Sequence, residues 1–236
     1  FEVAHYSTGY LAGDVLLRPP GSDAIVRMRL LDFDQILPAP EPFDPRRPTV
    51  LVCFPFVAVG GAEKLTLDVL ERLRARFEFV LLTVEPPDPS LGSMHEAFRR
   101  IAPKFYIAPN FLHPRLTTSL ATHLIREYGI ETLFVANGSN WFYDALPALR
   151  ARFPSLRIVN QVFDHTYGWI NRYSPDVSEW VDAHAAPNAA IAEAYRKNGV
   201  PASKVHVIHH GIDLTDFDPA AYDGARRAEA RRKLGL

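Results

Sequence analysis

The sequence is poor in cysteine, holding only Cys53 among 236 residues, so it cannot form an internal disulfide. This scarcity is typical of a reducing compartment, and we therefore expect a cytoplasmic protein. Cys53 lies in an apolar run and is expected to be a small buried hydrophobe. No apolar run reaches the ~18 residues of a membrane-spanning helix, and no signal peptide opens the chain, which leaves only peripheral membrane contact open.

An excess of charge of either sign is also missing, because 26 basic residues stand against 27 acidic ones. This balance argues against nucleic acid as a partner. Clustered metal ligands are missing too. The pairs His209–His210 and Asp164–His165 are adjacent, and neighbours along a strand point to opposite faces, so we expect no metal site and no bound cofactor.

Proline is abundant in one place, at positions 38, 40, 42, 45 and 48. Such a run excludes helix and central strand and predicts an extended linker. We therefore divide the chain into an N-terminal extension, residues 1–48, and a main domain, residues 49–236. Two apolar runs around Pro-Pro-Gly-Ser predict a hairpin in the extension. The chain does not begin with Met, so we expect it to be a piece of a longer protein.

Strands and helices alternate regularly after the linker. We predict strands at 49–54, 77–83, 104–108, 132–136, 157–163, 183–187 and 205–209, and helices at 62–73, 116–128, 141–153 and 189–198. This pattern predicts an α/β fold: a Rossmann-like, doubly wound, mostly parallel sheet of about seven strands, with a short N-terminal β-rich extension.

A glycine pair, Gly60 and Gly61, lies between the first predicted strand and helix of the main domain. Ligands of doubly wound sheets bind at the carboxyl ends of strands, and glycine lets a ligand approach the backbone. The N-terminus of the next helix favours a phosphate or carboxylate, although a tight turn with nothing bound explains the pair equally well. Glu63 in the first turn suits the helix dipole. Neither the dinucleotide fingerprint nor a P-loop is present.

Polar residues follow two other predicted strands. Asp164 and His165 come just past 157–163, where a polar group would enter the cleft, and either could orient a substrate or accept a proton. Asn137 and Ser139 follow 132–136, where capping of the next helix and acceptor binding are both open.

An aromatic stretch that looks loop-like comes next along the chain. Tyr167 and Trp169 could stack on sugar rings and Arg172 could meet a charged acceptor, whereas a packed loop is the alternative.

Three motifs together resemble the family 4 retaining glycosyltransferases of the GT-B fold. G-G-A-E, which those enzymes typically carry after the first strand, matches residues 60–63. The family's N-G-[VI]-D and F-x-P run is similar to residues 210–219, with His210 where asparagine is usual. The tail R-R-K-L-G-L is similar to the segment before the second domain. The resemblance covers residues 49–236.

The resemblance implies the N-terminal, acceptor-side domain of an enzyme that transfers a sugar from a nucleotide-sugar donor to a glycan, lipid or small-molecule acceptor, with retention. A C-terminal donor domain with paired glutamates would complete it, so this part alone is expected to be inactive. The glycine loop and Glu63 would face the donor phosphates, and His210 and Gly211 would form the donor-facing loop before the hinge. In the family a histidine or an acid in the region of Asp164 and His165 lies close to the reacting sugar.

Two other classes of function compete with this interpretation. A non-catalytic carbohydrate- or partner-binding module could share the fold, because fold alone does not fix function. An NAD-dependent oxidoreductase is disfavoured by the missing glycine fingerprint.

Overall fold

The computed structural model describes residues 2–6, 14–18, 26–29, 43–44, 46–164, 175–212, 218, 220 and 223–236. Ten strands are described. They are β1 Glu2–Tyr6, β2 Asp14–Arg18, β3 Val26–Arg29, β4 Thr49–Phe54, β5 Glu78–Thr83, β6 Phe105–Ile107, β7 Thr132–Ala136, β8 Arg157–Gln161, β9 Ala183–Ala186 and β10 Val205–Val207. Within the described ranges no helix is long and apolar enough to cross a membrane.

Seven α-helices are described. They are α1 Gly61–Leu73, α2 His95–Ile101, α3 Thr117–Glu127, α4 Asn140–Arg152, α5 Pro175–Trp180, α6 Ala189–Lys197 and α7 Gly224–Lys233. Two of them, α2 and α5, were not predicted, and α5 follows the aromatic stretch that looks loop-like. Helix α7 lies in the basic segment 221–236, for which a helix and a hinge segment were both open. In α2 only Phe98 is buried, so its apolar stripe is too thin to produce a helical period.

The main sheet has seven strands in the order β10-β9-β8-β7-β4-β5-β6, and every neighbouring pair is parallel. This confirms the predicted Rossmann-like sheet. The first strand of the sheet, β4, pairs with β5 on one side and β7 on the other. The strand order therefore reverses between β4 and β7, and a crevice opens there at the carboxyl edge.

The central strand β4 is buried on both faces, which explains its unbroken apolar run. Alternate residues of β4 pack into two hydrophobic cores, one on each face of the sheet. Val50, Val52 and Phe54 pack with residues of α1 and α2, whereas Leu51 and Cys53 pack with α3, α4 and α6. Burial raises the pKa of the Cys53 thiol, as expected of a core residue.

The extension contains a separate antiparallel sheet in the order β1-β2-β3. The β-rich character predicted for the extension is confirmed. The turn between β2 and β3 and most of the proline-rich run lie outside the described residues.

A basic clamp joins α4 to the neighbouring strands. Arg150 donates to the carbonyls of Trp180 at 2.6 Å and Leu156 at 2.7 Å and to the Asp182 carboxylate at 2.8 Å. The same Asp182 oxygen accepts from the Ile158 amide at 2.7 Å. Because the Arg150 side chain bonds to all of these groups and also to the Pro154 carbonyl at 3.2 Å, it fixes the position of α4 relative to the sheet.

A buried histidine lies under α6. His184 of β9 is fully buried, with its ring 4.8 Å from that of Tyr195. Burial, and then the charges of Lys204 and His206, lower the pKa of His184 to about 3. The imidazole is therefore neutral in the folded protein at neutral pH.

We predict that the protein loses stability as the pH falls below the ordinary histidine pKa. Between that value and about 3, the unfolded chain binds a proton that folded His184 does not, so unfolding gains about 1.4 kcal/mol per pH unit. Urea unfolding near neutral and mildly acidic pH measures the slope. His184→Leu should flatten it, while the exposed His206→Gln should not. An unchanged slope in His184→Leu would contradict the assignment.

Candidate functional site at the carboxyl edge of the sheet

The loop after β4 brings the glycine pair to the carboxyl edge as predicted from sequence. Gly60 is extended, with φ −152° and ψ 165°, and begins α1 without a side-chain cap. A Cβ on Gly60 would lie 2.5 Å from the Glu63 Oε2 atom, because the Glu63 side chain folds back over the glycine. Gly60 therefore makes room for Glu63.

The second glycine has a different environment. A Cβ on Gly61 would meet no atom of the described residues within 4 Å, and Gly61 is exposed at the first position of α1. Packing does not require a glycine there. An open, exposed glycine at a helix N-terminus leaves its amide accessible to an anionic ligand.

A neighbouring loop supports the glycine loop. The Val59 amide donates to the Leu91 carbonyl at 3.0 Å. Gly92 has φ +69°, and a Cβ there would lie 2.9 Å from the Val59 Cγ2 atom. Gly92 is needed both for its left-handed backbone and for this close approach. The loops after β4 and β5 thus form one unit.

The loop after β7 lies across the crevice. Asn137 has φ 60°, a left-handed conformation that asparagine tolerates better than most residues, and its amide donates to the Gln161 carbonyl at 2.8 Å. Ser139 occupies the N-cap of α4, but its side chain makes no capping hydrogen bond. Its hydroxyl is buried and has no hydrogen-bond partner among the residues that the structure describes. Ser139 therefore holds the capping position without performing the capping role.

Gly138, between these two residues, is required by packing. A Cβ there would lie 3.1 Å from the Phe142 Cδ1 atom, 3.2 Å from the Val135 Cγ1 atom and 3.5 Å from the Asn160 Oδ1 atom. Only glycine, which has no Cβ atom, fits at this position beside the ends of β7 and β8.

Of the predicted central pair, Asp164 is half-buried three residues past the end of β8, at the same edge. His165 lies outside the described residues, as do Tyr167, Trp169 and Arg172.

His210 follows β10 and meets Phe163, the neighbour of Asp164, with ring centroids 5.7 Å apart. Burial, and then the charge of His209, lower the pKa of His210. His210 and Gly211 are both exposed.

Sequence reasoning missed a carboxylate at this edge. Glu85 is half-buried two residues after β5, and its amide donates to the Pro55 carbonyl at 2.7 Å. Burial raises the pKa of Glu85. Its position after a strand is the signal that singled out Asp164, and it could have been found in the same way. Thr83, at the end of β5, buries a hydroxyl for which the described part of the chain provides no hydrogen-bond partner.

A groove of about 430 Å³ lies at the opposite, amino edge of the sheet. Its polar groups are largely used within the protein. Arg47 pairs with Glu78, and Lys104 Nζ lies 3.9 Å above the Phe43 ring. We therefore place the site at the carboxyl edge, where parallel sheets bind ligands.

Sequence comparison identifies the family. The family model Glycosyltransferase Family 4 matches residues 59–216, more than half of the chain. The chain therefore belongs to glycosyltransferase family 4. No curated protein matches the sequence significantly.

Solved structures show the same fold. The chain is similar to a glycosyltransferase from Rickettsia africae ESF-5, with 16% identity and a TM-score of 0.57 over 80% of this chain and 50% of that one. It is also similar to Anabaena HepE in complex with UDP, with 15% identity and a TM-score of 0.53 over 79% and 50%. A third is the apo lipopolysaccharide outer core galactosyltransferase WaaB, with 14% identity and a TM-score of 0.51 over 70% and 46%. The chain thus spans about half the length of these GT-B proteins.

We predict opposite outcomes for alanine at two glycines of the site. Gly138→Ala should destabilise the fold by about 1–3 kcal/mol, because the new methyl group meets buried atoms on three sides. Gly61→Ala should leave stability unchanged or raise it, because the position is open and alanine favours helix. Urea unfolding measures both. Equal effects would show that the two glycines do not differ in this way.

Proposed function

We propose that this chain is the acceptor-side domain of a glycosyltransferase that moves a sugar from a nucleotide-sugar donor to an acceptor with retention of configuration. The observation that carries the proposal is the open backbone of Gly61 at the crevice between β4 and β7, in a chain of glycosyltransferase family 4. The division at residue 48 and a cytoplasmic location belong to the same proposal.

The glycine loop is proposed to contact the donor diphosphate. The amides at the start of α1 and the helix dipole favour negative charge, and charge develops on the nucleotide diphosphate as it leaves. HepE, which shares the fold, has been solved with UDP and with UDP-glucose. Amides of the Gly60–Gly61 loop would stabilise the leaving group without a metal or a bound cofactor.

Asp164 and His165 are proposed to orient the acceptor hydroxyl or the donor sugar or to accept the acceptor's proton. Asp164 follows the strand next to β7, so it lies on the same edge as the loops that flank the crevice. Front-face attack of the acceptor, which retains configuration without a covalent protein intermediate, is the mechanism that we favour. His210, against Phe163, would border the same cleft.

We predict that Gly61→Val weakens donor binding by at least about tenfold, because its side chain would stand where the phosphate approaches the amide. A titration of the complete gene product with nucleoside diphosphates and their sugars measures the affinity. Gly224→Val is the matched control, since Gly224 also begins a helix and faces open space. Unchanged donor affinity in Gly61→Val would refute the phosphate role of the loop.

We predict that Asp164→Ala or His165→Ala lowers turnover of the complete gene product by about 10²–10⁴-fold, the usual contribution of a proton-transfer residue. Glu193→Ala, an exposed acid on α6, serves as the control and should keep normal turnover. If both central variants keep normal turnover, the assignment is wrong. If donor is bound but no nucleotide sugar is ever consumed, the protein is a binding module.

A further inference from the structure

The last residue of β8 carries a side-chain amide that has no partner in the described part of the chain. Gln161 is 8% exposed, and its side chain makes no hydrogen bond to the described residues. Buried amides normally bond to the backbone or to another side chain, because an unpaired polar group is costly to bury. Methionine would fill the same space without that cost, so packing does not account for a glutamine here.

The amide of Gln161 differs from other unpaired polar groups of the chain because it is accessible. The hydroxyls of Thr83, Ser139 and Ser178 also lack partners among the described residues, but each of them is fully enclosed. The amide nitrogen and oxygen of Gln161 are not among these enclosed atoms, so the part of the residue that still meets solvent includes them. A bound molecule can therefore contact this amide, whereas it cannot contact the three hydroxyls.

The strand register shows to which face the Gln161 side chain points. Gln161 pairs with Ala136 of β7, which belongs to the core beneath α1 together with Phe54 and Val57. Paired residues of neighbouring strands point to the same face, and Ile158, three residues before Gln161, packs into the opposite core. The Gln161 side chain therefore lies on the α1 face of the sheet, at its carboxyl edge.

The neighbours of Gln161 in the sheet are small. Its register partners are Ala136 of β7 and Ala185 of β9, so both flanking strands carry only a methyl group beside it. The Asn137 amide donates to the Gln161 carbonyl at 2.8 Å, which ties the backbone of Gln161 to the loop after β7. A fixed backbone thus presents the amide beside the crevice, with no larger side chain next to it in the register.

The distance to the glycine loop indicates which part of a substrate the amide would meet. Only β7 separates β4 from β8, and neighbouring strands are about 4.8 Å apart, so the ends of β4 and β8 lie about 10 Å apart. The proposed function places the donor diphosphate at the start of α1, on the same face. The transferred sugar is bonded directly to that diphosphate and can therefore extend across β7 to Gln161.

The chemistry of a carboxamide suits a hydroxyl group. The amide nitrogen donates and the amide oxygen accepts, and a sugar hydroxyl can do both in return. An ionised phosphate only accepts, and the exposed amide of Gly61 already provides a donor for it. The two groups on the α1 face therefore suit different parts of one nucleotide sugar.

We infer that the Gln161 amide binds a hydroxyl group of the transferred sugar and is a specificity-determining residue of the transfer. This inference rests on the proposed function, which assigns the start of α1 to the donor diphosphate. A sugar that lacks the hydroxyl, or holds it in the other configuration, would leave the amide unpaired and bind more weakly.

Affinity measurements on the complete gene product test the inference, with UDP-glucose, UDP-galactose and GDP-mannose as probes and UDP and GDP as sugar-free references. Gln161→Met keeps the length of the side chain and removes the amide. It should weaken binding of the tightest-bound nucleotide sugar by about tenfold, the effect of one hydrogen bond left unmade, and leave the affinity for the matching nucleoside diphosphate unchanged. Unchanged affinity for the nucleotide sugar, or an equal loss for the diphosphate, would overturn the inference.

Stability measurements separate a ligand-binding role from a structural one. Gln161→Met and a second variant, Gln161→Leu, should keep full stability in urea, because the amide bonds to nothing in the described part of the chain. Asn198→Leu is the matched control, since the Asn198 amide donates to the Ala194 carbonyl at 2.8 Å at the end of α6. It should lose stability and keep nucleotide-sugar affinity. A loss of stability in both Gln161 variants would overturn the inference.

NMR of the chain tests the contact directly, because its sequence contains two glutamines, Gln35 and Gln161. Isotope labelling of glutamine alone gives two side-chain amide signals, and Gln161→Met assigns them. One or more of the methyl glycosides of glucose, galactose and mannose should shift the Gln161 signal and not the Gln35 signal. Inorganic phosphate at constant ionic strength should shift neither. A Gln161 signal that moves with phosphate, or with none of the glycosides, would overturn the inference.

Gly61→Val separates this inference from the proposed function. If Gly61→Val weakens binding of the diphosphate while Gln161→Met changes nothing, the donor loop stands and the role of Gln161 is refuted. If Gln161→Met selectively weakens binding of the nucleotide sugar while Gly61→Val changes nothing, the sugar contact stands and the donor loop is refuted. If no probe binds, both are refuted.

Discussion

The parallel pairing of β4 with β5 on one side and β7 on the other is the constraint on which the site depends. Parallel strands need crossover helices, so each strand's carboxyl end delivers a loop to the same edge. Because β4 is covered on both faces, all six of its residues are buried and all those after Thr49 are apolar, so polar and ligand-binding groups can begin only where the strand ends. The loops after β4, β5, β7 and β8 therefore form the site.

The glycines at this edge of the sheet have different structural reasons. Gly92 is needed for its backbone conformation and Gly138 for close packing. Gly60 makes room for the side chain of Glu63, whereas no atom of the described residues would contact a Cβ on Gly61. The distinction matters for function, because only a glycine that the fold does not require points to a ligand.

Much of the fold could be predicted from the sequence because the buried parallel strands are unbroken apolar runs and their helices carry wide apolar stripes. The long central elements were placed within a few residues. Helix α2 could not be predicted, since it buries only Phe98, and α5 could not because its six residues are fewer than two helical turns. Strand β8 ends two residues earlier than predicted, because the apolar residues Val162 and Phe163 continue past it, and β10 also ends two residues earlier than predicted.

The site was harder to predict, because its geometry depends on contacts between distant segments. The glycine pair and Asp164 could be found, since both directly follow apolar runs. Nothing local distinguishes Gly61, which is open, from Gly138, which is closely packed. The sequence also could not show that the Ser139 side chain does not cap α4, because a serine before a helix normally indicates an N-cap. These differences arise only once β7, β8 and α4 are packed together.

The Val59 amide donates a hydrogen bond to the Leu91 carbonyl, and Gly92 lies close to the Val59 side chain. These two contacts hold the loops after β4 and β5 together. Any insertion or deletion in the segment after β5 would displace the backbone beside the glycine pair. Replacing either loop alone would therefore disturb the other, so the two segments have to be engineered together.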